Sequence, residues 1–169
     1  MVFYMTKYYS NITTKLGDIL LLSDSENITG IYFVKEKYIP QLEPERQNNS
    51  EPEILKLAEK QLKEYSYGNR REFEIPYSFI KFTEFQKRVW EEVSKIPYGK
   101  TITYKELANN IGAPNSVRAV AAAVGRNPIS LVVPCHRVIG SNNSLTGYAG
   151  GIELKHSILT LEGIRNITI

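Results

Sequence analysis

The feature that most constrains this chain is a change in hydrophobic period along its length. Before residue 35 the apolar residues form two short runs, 16–22 and 28–34, rich in Ile, Leu and aromatics. The polar stretch 23–27 separates them, which predicts a β-hairpin or meander. Residues 35–50 hold Pro40, Pro44 and Asn48-Asn49-Ser50 and read as a loop. From residue 52 the spacing becomes helical. Ile54, Leu55, Ala58, Leu62 and Tyr65 form one stripe, which ends before Gly68. Residues 71–75 read as a further strand closed by Pro76. Residues 83–96 place Phe85, Val89, Trp90 and Val93 on one helical face, and Pro97-Tyr98-Gly99 breaks it. The pattern predicts an α+β fold: an N-terminal α/β lobe with a small antiparallel sheet, then a mainly helical C-terminal lobe. The boundary falls near residues 76–80, giving domains 1–78 and 79–169. At 169 residues the chain can bury about 70% of its unfolded surface, so its core needs no covalent staple.

The C-terminal half carries more specific signals. Thr103-Tyr104-Lys105-Glu106 has the spacing of a capping box and starts a helix running to about Asn110. Gly112-Ala113-Pro114 is a tight turn. Asn115 or Ser116 then caps a second short helix, 117–124, so the pair is a helix-turn-helix candidate with a winged-helix-like setting. The second helix is built from small residues, among them Ala119, Ala121, Ala122 and Ala123. Such a helix either packs closely inside its lobe or approaches a DNA groove, with Arg118 standing out among short neighbours. Residues 131–133 read as a β-branched strand leading into Pro134. Residues 152–161 form a last amphipathic helix, with Leu154, Ile158 and Leu161 apolar and Gly163 as its stop.

Charge separates the halves. The net charge of +3 taken alone is a solubility charge. Residues 1–80 hold ten Lys and Arg against twelve Asp and Glu, whereas residues 81–169 hold eleven against six. Between Leu107 and Ile152 there is no acid, but there are Arg118, Arg126 and Arg137. That predicts a positive face suited to a polyanion.

Within this stretch lies Cys135, the one cysteine of the chain. It excludes an intrachain disulfide framework and a cysteine-rich zinc site. The two histidines, His136 and His156, have no metal-ligand spacing, so no metal is expected. A thiol needs an adjacent base or a positive field to react at neutral pH. His136 can supply the first, and Arg137 and Arg126 the second. On extended backbone, neighbouring side chains diverge, so a water is expected to carry the proton between Cys135 and His136. A carboxylate orienting the imidazole has three candidates: Glu106, Glu153 and Glu162. The alternative is a buried structural cysteine beside a satisfied histidine. The Gly-rich stretch 147–151 lacks a phosphate-loop pattern and reads as a loop whose backbone approaches a ligand. The N-terminus lacks an apolar signal-peptide core, no apolar run nears 18 residues, and the N-x-[ST] sequons read as chance. An intracellular protein is expected: cytoplasmic, or nuclear in a eukaryote, with no membrane partner.

Four segments together resemble the O6-alkylguanine-DNA alkyltransferases, also called methylated-DNA–protein-cysteine methyltransferases. NPISLVVPCHRVIG (127–140) is similar to their active-site signature. IPYGKTITYKELA (96–108) and NSVRAVAAAVGRNP (115–128) are similar to their helix-turn-helix and asparagine hinge, and TGYAGGIELKHSILTLEG (146–163) to their binding loop and last helix. QLKEYSYGNRREFEIP (61–76) looks like the family's interdomain linker. The resemblance implies that Cys135 takes the alkyl group from O6-alkylguanine, and possibly from O4-alkylthymine, in double-stranded DNA. It implies His136 as base through a water, Glu162 as its holder, Asn127 as the hinge, and Tyr104 as rotator of the nucleotide and proton donor to guanine. Arg118 would be the finger filling the gap in the duplex. Ser116, Ala119, Ala121 and Arg126 would face DNA, and Val138, Tyr148 and Ala149 would line the guanine pocket. Some family members carry serine where Ala149 stands, which puts one side-chain contact in doubt. Domain 1–78 would support domain 79–169, which binds DNA and accepts the alkyl group. The protein would work once per molecule, as a monomer and without a cofactor. A damage-binding protein without chemistry and a cysteine hydrolase are the competing readings. Cys135 argues against the first, and the adjacency of the histidine against the second.

Overall fold

A computed structural model describes residues 8–42 and 52–168. The expected loop therefore lies partly outside the described residues, with Pro44 and Asn48-Asn49-Ser50 among those not covered. The described chain forms two compact units. One comprises Met1–Lys81 together with Pro128–Val132, and the other Phe82–Asn127 together with Val133–Ile169. The architecture is α+β, with an antiparallel sheet in the first unit and helices dominating the second. No helix among the described residues is long and apolar enough to cross a membrane.

The sheet of the first unit has three strands in the order β1 (Tyr8–Thr14), β2 (Gly17–Ser23) and β3 (Ile28–Phe33), all antiparallel. The expected hairpin is β2–β3. β1 was not expected from the sequence, because Tyr8-Tyr9-Ser10-Asn11-Ile12-Thr13-Thr14 carries few aliphatic residues. Its partner supplies the apolar content, since Ile19, Leu20, Leu21 and Leu22 of β2 are all buried. Helix α1 (Glu53–Ser66) buries the expected stripe of Ile54, Leu55, Ala58, Leu62 and Tyr65. The expected strand over 71–75 is absent. The backbone there is irregular, and only Tyr77 makes an isolated parallel bridge, to Ile28. The amide of Glu74 goes instead to the Gln61 side chain at 2.8 Å, a local bond that competes with strand pairing.

β3 ends in a tight clamp. Glu36 folds back so that its carboxylate accepts the Phe33 amide at 2.9 Å, and its own amide donates to the Phe33 carbonyl at 2.9 Å. Glu36 is 5% exposed, and burial pushes its carboxyl up to about 7.

In the second unit α2 (Glu84–Ser94) starts from a complete capping box between Thr83 and Gln86. It buries Val89, Trp90 and Val93, with Phe85 half-buried. The Trp90 indole N–H donates to the Ala123 carbonyl at 2.8 Å, which ties α2 to α4 (Val117–Gly125). Helix α3 (Tyr104–Asn110) begins at the predicted Thr103–Glu106 capping box, with Thr103 Oγ1 accepting the Glu106 amide at 3.1 Å. The turn 111–116 then leads to α4, completing the helix-turn-helix. Ser116 occupies the cap position of α4, but its hydroxyl makes no capping bond. Its φ and ψ of −109° and 27° lie outside the extended conformation that aims a cap oxygen at the first turn.

The expected strand over 131–133 is a turn instead. Leu131 sits there with φ of 71°, a conformation β-strands cannot use. Cys135–Arg137 is one turn of 3-10 helix, not extended chain. It runs into β5 (Val138–Ile139), which pairs in parallel with β4 (Ile102–Thr103) just before α3. Helix α5 (Ile152–Leu161) closes the unit.

Two stability outcomes follow from this packing. Trp90→Phe deletes the buried indole bond and some volume, which should cost about 2 kcal/mol in urea unfolding. Glu36 holds its proton more tightly folded than unfolded, so its contribution is full below about pH 4.5 and is lost as pH rises through about 7. Glu36→Gln should therefore match the parent at pH 4.5 and exceed it at pH 8.5, by up to about 3 kcal/mol. Thermal unfolding at the two pH values measures the difference.

Candidate active site

The site is built around a buried carboxylate. Glu162 caps the C-terminus of α5, and its side chain is fully buried. It accepts from His136 Nε2 at 2.9 Å, from Arg137 Nε at 3.0 and 3.2 Å, from Arg137 Nη2 at 2.8 Å and from the Gly99 amide at 3.1 Å. Gly99 makes the last contact possible by adopting φ of 72° in the turn that ends α2. Arg137 also donates to the Ile96 carbonyl at 2.6 Å. Of the three acids near the cysteine in sequence, Glu106 and Glu153 are exposed, and Glu162 is the one the fold brings to His136.

Arg137 is therefore an internal counterion rather than part of a positive surface. It is 6% exposed and spends its fork on Glu162, a geometry that suits guanidinium and carboxylate. The positive surface expected from the acid-free stretch is left to Arg118 and Arg126, which are both exposed.

His136 is wholly buried. A carboxylate can only accept, so the proton sits on Nε2 and the lone pair on Nδ1. Among the described residues Nδ1 has no hydrogen-bond partner. Burial holds the imidazole below its usual range; the Glu162 hydrogen bond and charge oppose this, and the charges of Arg137 and Lys155 reinforce it. The ring is thus neutral and carries an available base nitrogen. Cys135 precedes it in the same 3-10 turn, 4% exposed.

Asn127 anchors the approach to the cysteine. Its Nδ2 donates to the Val133 carbonyl at 2.7 Å, and the same carbonyl accepts the Cys135 amide at 2.8 Å. One oxygen thus connects the residue after α4 with the thiol-bearing turn.

On the other side, Tyr104 opens α3 and is buried. Its hydroxyl donates to the Thr146 carbonyl at 3.0 Å. Burial and the charge of a Cys135 thiolate push its hydroxyl up to about 12. Gly147, with φ of 66°, lies beside it; a Cβ there would sit 3.2 Å from the Tyr104 oxygen. Val138 is buried, whereas Tyr148 and Ala149 are half-buried in the loop before α5.

Lys155 was not anticipated. It is fully buried and donates to the carbonyls of Val138 at 2.5 Å and Thr146 at 3.1 Å. Its ammonium lies 5.7 Å from the Tyr104 ring centre and 6.0 Å from that of Tyr148. Burial lowers it to about 8, and a thiolate at Cys135 raises it. The sequence does contain a signal. Lys155, Ile158, Leu159 and Glu162 repeat at helical spacing and form the buried stripe, whereas the expected Leu154 and Leu161 are only half-buried. A Lys and a Glu interrupting an apolar stripe point to a buried polar site.

The expected DNA-facing residues lie on α4 and its ends. Arg118, Ala119 and Ala122 are exposed, Ser116 and Ala121 are half-buried, and Arg126 is exposed at the C-terminal cap. Among the described residues there is no cluster of three His, Cys, Asp or Glu able to hold a metal.

Comparison with known proteins places this geometry in a family. Residues 84–164 match the model for the 6-O-methylguanine DNA methyltransferase DNA binding domain, and residues 7–79 that for the ribonuclease-like domain of the same proteins. A methylated-DNA–protein-cysteine methyltransferase of Methanosarcina acetivorans is 43% identical, covering 92% of this chain and 98% of its own. A constitutive one of Bacillus subtilis is 41% identical over 93% and 96% of the two chains. The crystal structure of Mycobacterium tuberculosis OGT in complex with DNA superposes with a TM-score of 0.83 at 39% identity, covering 92% of each chain. With nearly full-length matches to both domains, the chain belongs to the 6-O-methylguanine DNA methyltransferase family.

Proposed function

We propose that this protein repairs DNA by moving the alkyl group of O6-alkylguanine irreversibly to Cys135. The observation that carries the reading is the neutral His136, held at Nε2 by Glu162 and with Nδ1 available beside the chain's one cysteine. In the proposed step Nδ1 takes the thiol proton through a water. The thiolate attacks the alkyl carbon in line, an S–C bond forms, and the C–O6 bond breaks. The electron pair stays on guanine, which takes up a proton. Glu162 stabilises the imidazolium that forms, while Arg137 keeps the carboxylate ionised and fixed. Lys155 supplies a nearby positive charge for the thiolate.

Tyr104 serves as rotator of the nucleotide and proton donor to guanine; its hydroxyl, held near 12, keeps the proton at neutral pH until the leaving guanine takes it. Duplex DNA buries O6, so the nucleotide must leave the stack from the minor-groove side. The short side chains exposed on α4 favour close approach to a groove, and Arg118 fills the gap. Ser116, Ala119, Ala121 and Arg126 contribute to the same face. Val138, Tyr148 and Ala149 line the pocket, where a backbone amide can reach the base oxygen even without a serine. The thioether is stable and there is no second thiol to reverse it, so each molecule acts once. The reading extends to O4-alkylthymine, to action as a monomer without cofactor, and to the cytoplasm as its place. The segment before residue 79 acts as support.

Intact mass after incubation with a duplex oligonucleotide bearing O6-methylguanine tests the reading. A single methyl-sized gain is expected, capped at one per protein and absent in Cys135→Ser. Product beyond one equivalent would indicate a hydrolase, and binding without a mass gain a damage sensor. Glu162→Gln removes the acceptor shared by His136 and Arg137. It should slow transfer by about 100-fold or more and cost about 3 kcal/mol of stability by stranding Arg137. Single-turnover kinetics and urea unfolding measure the two effects.

A further inference from the structure

The segment Pro128–Val132 leaves the second unit after Asn127 and rejoins it at Val133, five residues that belong to the first unit. Its base is pinched by the Asn127 side chain on the Val133 carbonyl. Its middle is held by β3. The Ile31 amide donates to the Pro128 carbonyl at 2.8 Å, and the Ser130 amide donates to the Ile31 carbonyl at 3.1 Å, a parallel bridge centred on Ile31 and Ile129. Ser130 is buried, and its hydroxyl reaches the carboxylate oxygen of Glu36 that already accepts the Phe33 amide, at a long 3.5 Å. The next residue, Leu131, is buried with φ of 71°, a strained conformation for a branched side chain. Strain of this kind persists only where its surroundings hold it; here the Val132 amide, donating to the Ser130 carbonyl at 3.0 Å, spans Leu131, and Ser130 is in turn held by β3 and Glu36.

We propose that Glu36 is a positioning residue for alkyl transfer: by holding Ser130 it keeps Leu131 in its strained turn and so places the Val133 carbonyl under the Cys135 amide. The proposal rests on the reading of Cys135 as the alkyl acceptor. Glu36 has no part in the transfer step itself. It acts through four links: its carboxylate, Ser130, the Leu131 turn, and the Val133 oxygen shared by Asn127 and Cys135. A burial-tolerant acceptor is what the role requires, not a charge. Glu36→Gln, which can still accept from Phe33 and Ser130, therefore rescues it, whereas Glu36→Ala does not.

The test is single-turnover transfer from an O6-methylguanine duplex, read as a maximal rate constant and a DNA dissociation constant for the full chain. Glu36→Ala and Ser130→Ala should each lower the maximal rate, by about tenfold for the first, with the DNA constant unchanged. Glu36→Gln should stay within about twofold of the parent. The double variant Glu36→Ala/Ser130→Ala should be no slower than Glu36→Ala, because both changes cut one path. Ser130→Ala loses only a hydroxyl and keeps the experiment informative should Glu36→Ala fail to fold. Parental rates in Ser130→Ala, multiplicative losses in the double variant, or an equal loss in Glu36→Gln and Glu36→Ala each overturn the proposal. Absence of transfer in the parent overturns the reading of Cys135 and this proposal together, whereas transfer in the parent with a parental rate in Ser130→Ala overturns the proposal alone.

Discussion

The Glu162 carboxylate is the interaction on which the second unit depends. It is wholly buried, and an ion in that position is costly unless its lone pairs are used. Among the described residues three groups use them through four donor atoms: an imidazole, both sides of a guanidinium fork and a backbone amide. They come from two segments, and the carboxylate itself from a third. The amide belongs to the turn after α2, the imidazole and guanidinium to the 3-10 turn, and the carboxylate to the end of α5. Satisfying one charge therefore assembles three segments and sets the imidazole tautomer at the same time. Structure and chemistry share one constraint here.

A second buried cation completes the arrangement. Lys155 and Arg137 are both buried cations of this site, but they differ in kind. Arg137 is neutralised by Glu162, whereas the partners of Lys155 among the described residues are neutral carbonyls, Val138 and Thr146. A negative charge on Cys135 compensates that of Lys155 and opposes the lowering of its proton affinity by burial. The Thr146 carbonyl also accepts the Tyr104 hydroxyl, so the loop before α5, helix α3 and the lysine meet at one oxygen.

Much of the fold was legible because it rests on local rules. The Thr103–Glu106 capping box starts α3 where predicted, and the stripe 54–65 becomes the buried face of α1. The misreadings have a common cause. The residues at 71–75 and 131–133 look like strands by composition, yet one is diverted by the Gln61 side chain and the other bends through Leu131. β-structure needs a partner, and the partner is not in the local sequence. β1 shows the converse, a polar segment made into a strand by an apolar neighbour.

By itself the sequence determined which reagents are present: one cysteine, a histidine beside it, a helix-turn-helix with small side chains, and a family signature around them. It also determined that only a few acids could serve that histidine. The tertiary structure alone decided which charges face solvent and which are buried. Arg137, counted with the positive surface, turned inward to Glu162, and Lys155, read as part of an ordinary amphipathic helix, became a buried cation beside the thiol-bearing turn. The physical reason is that a charge's effect depends on its surrounding dielectric and its partners, and both are properties of the packed chain rather than of any residue in it.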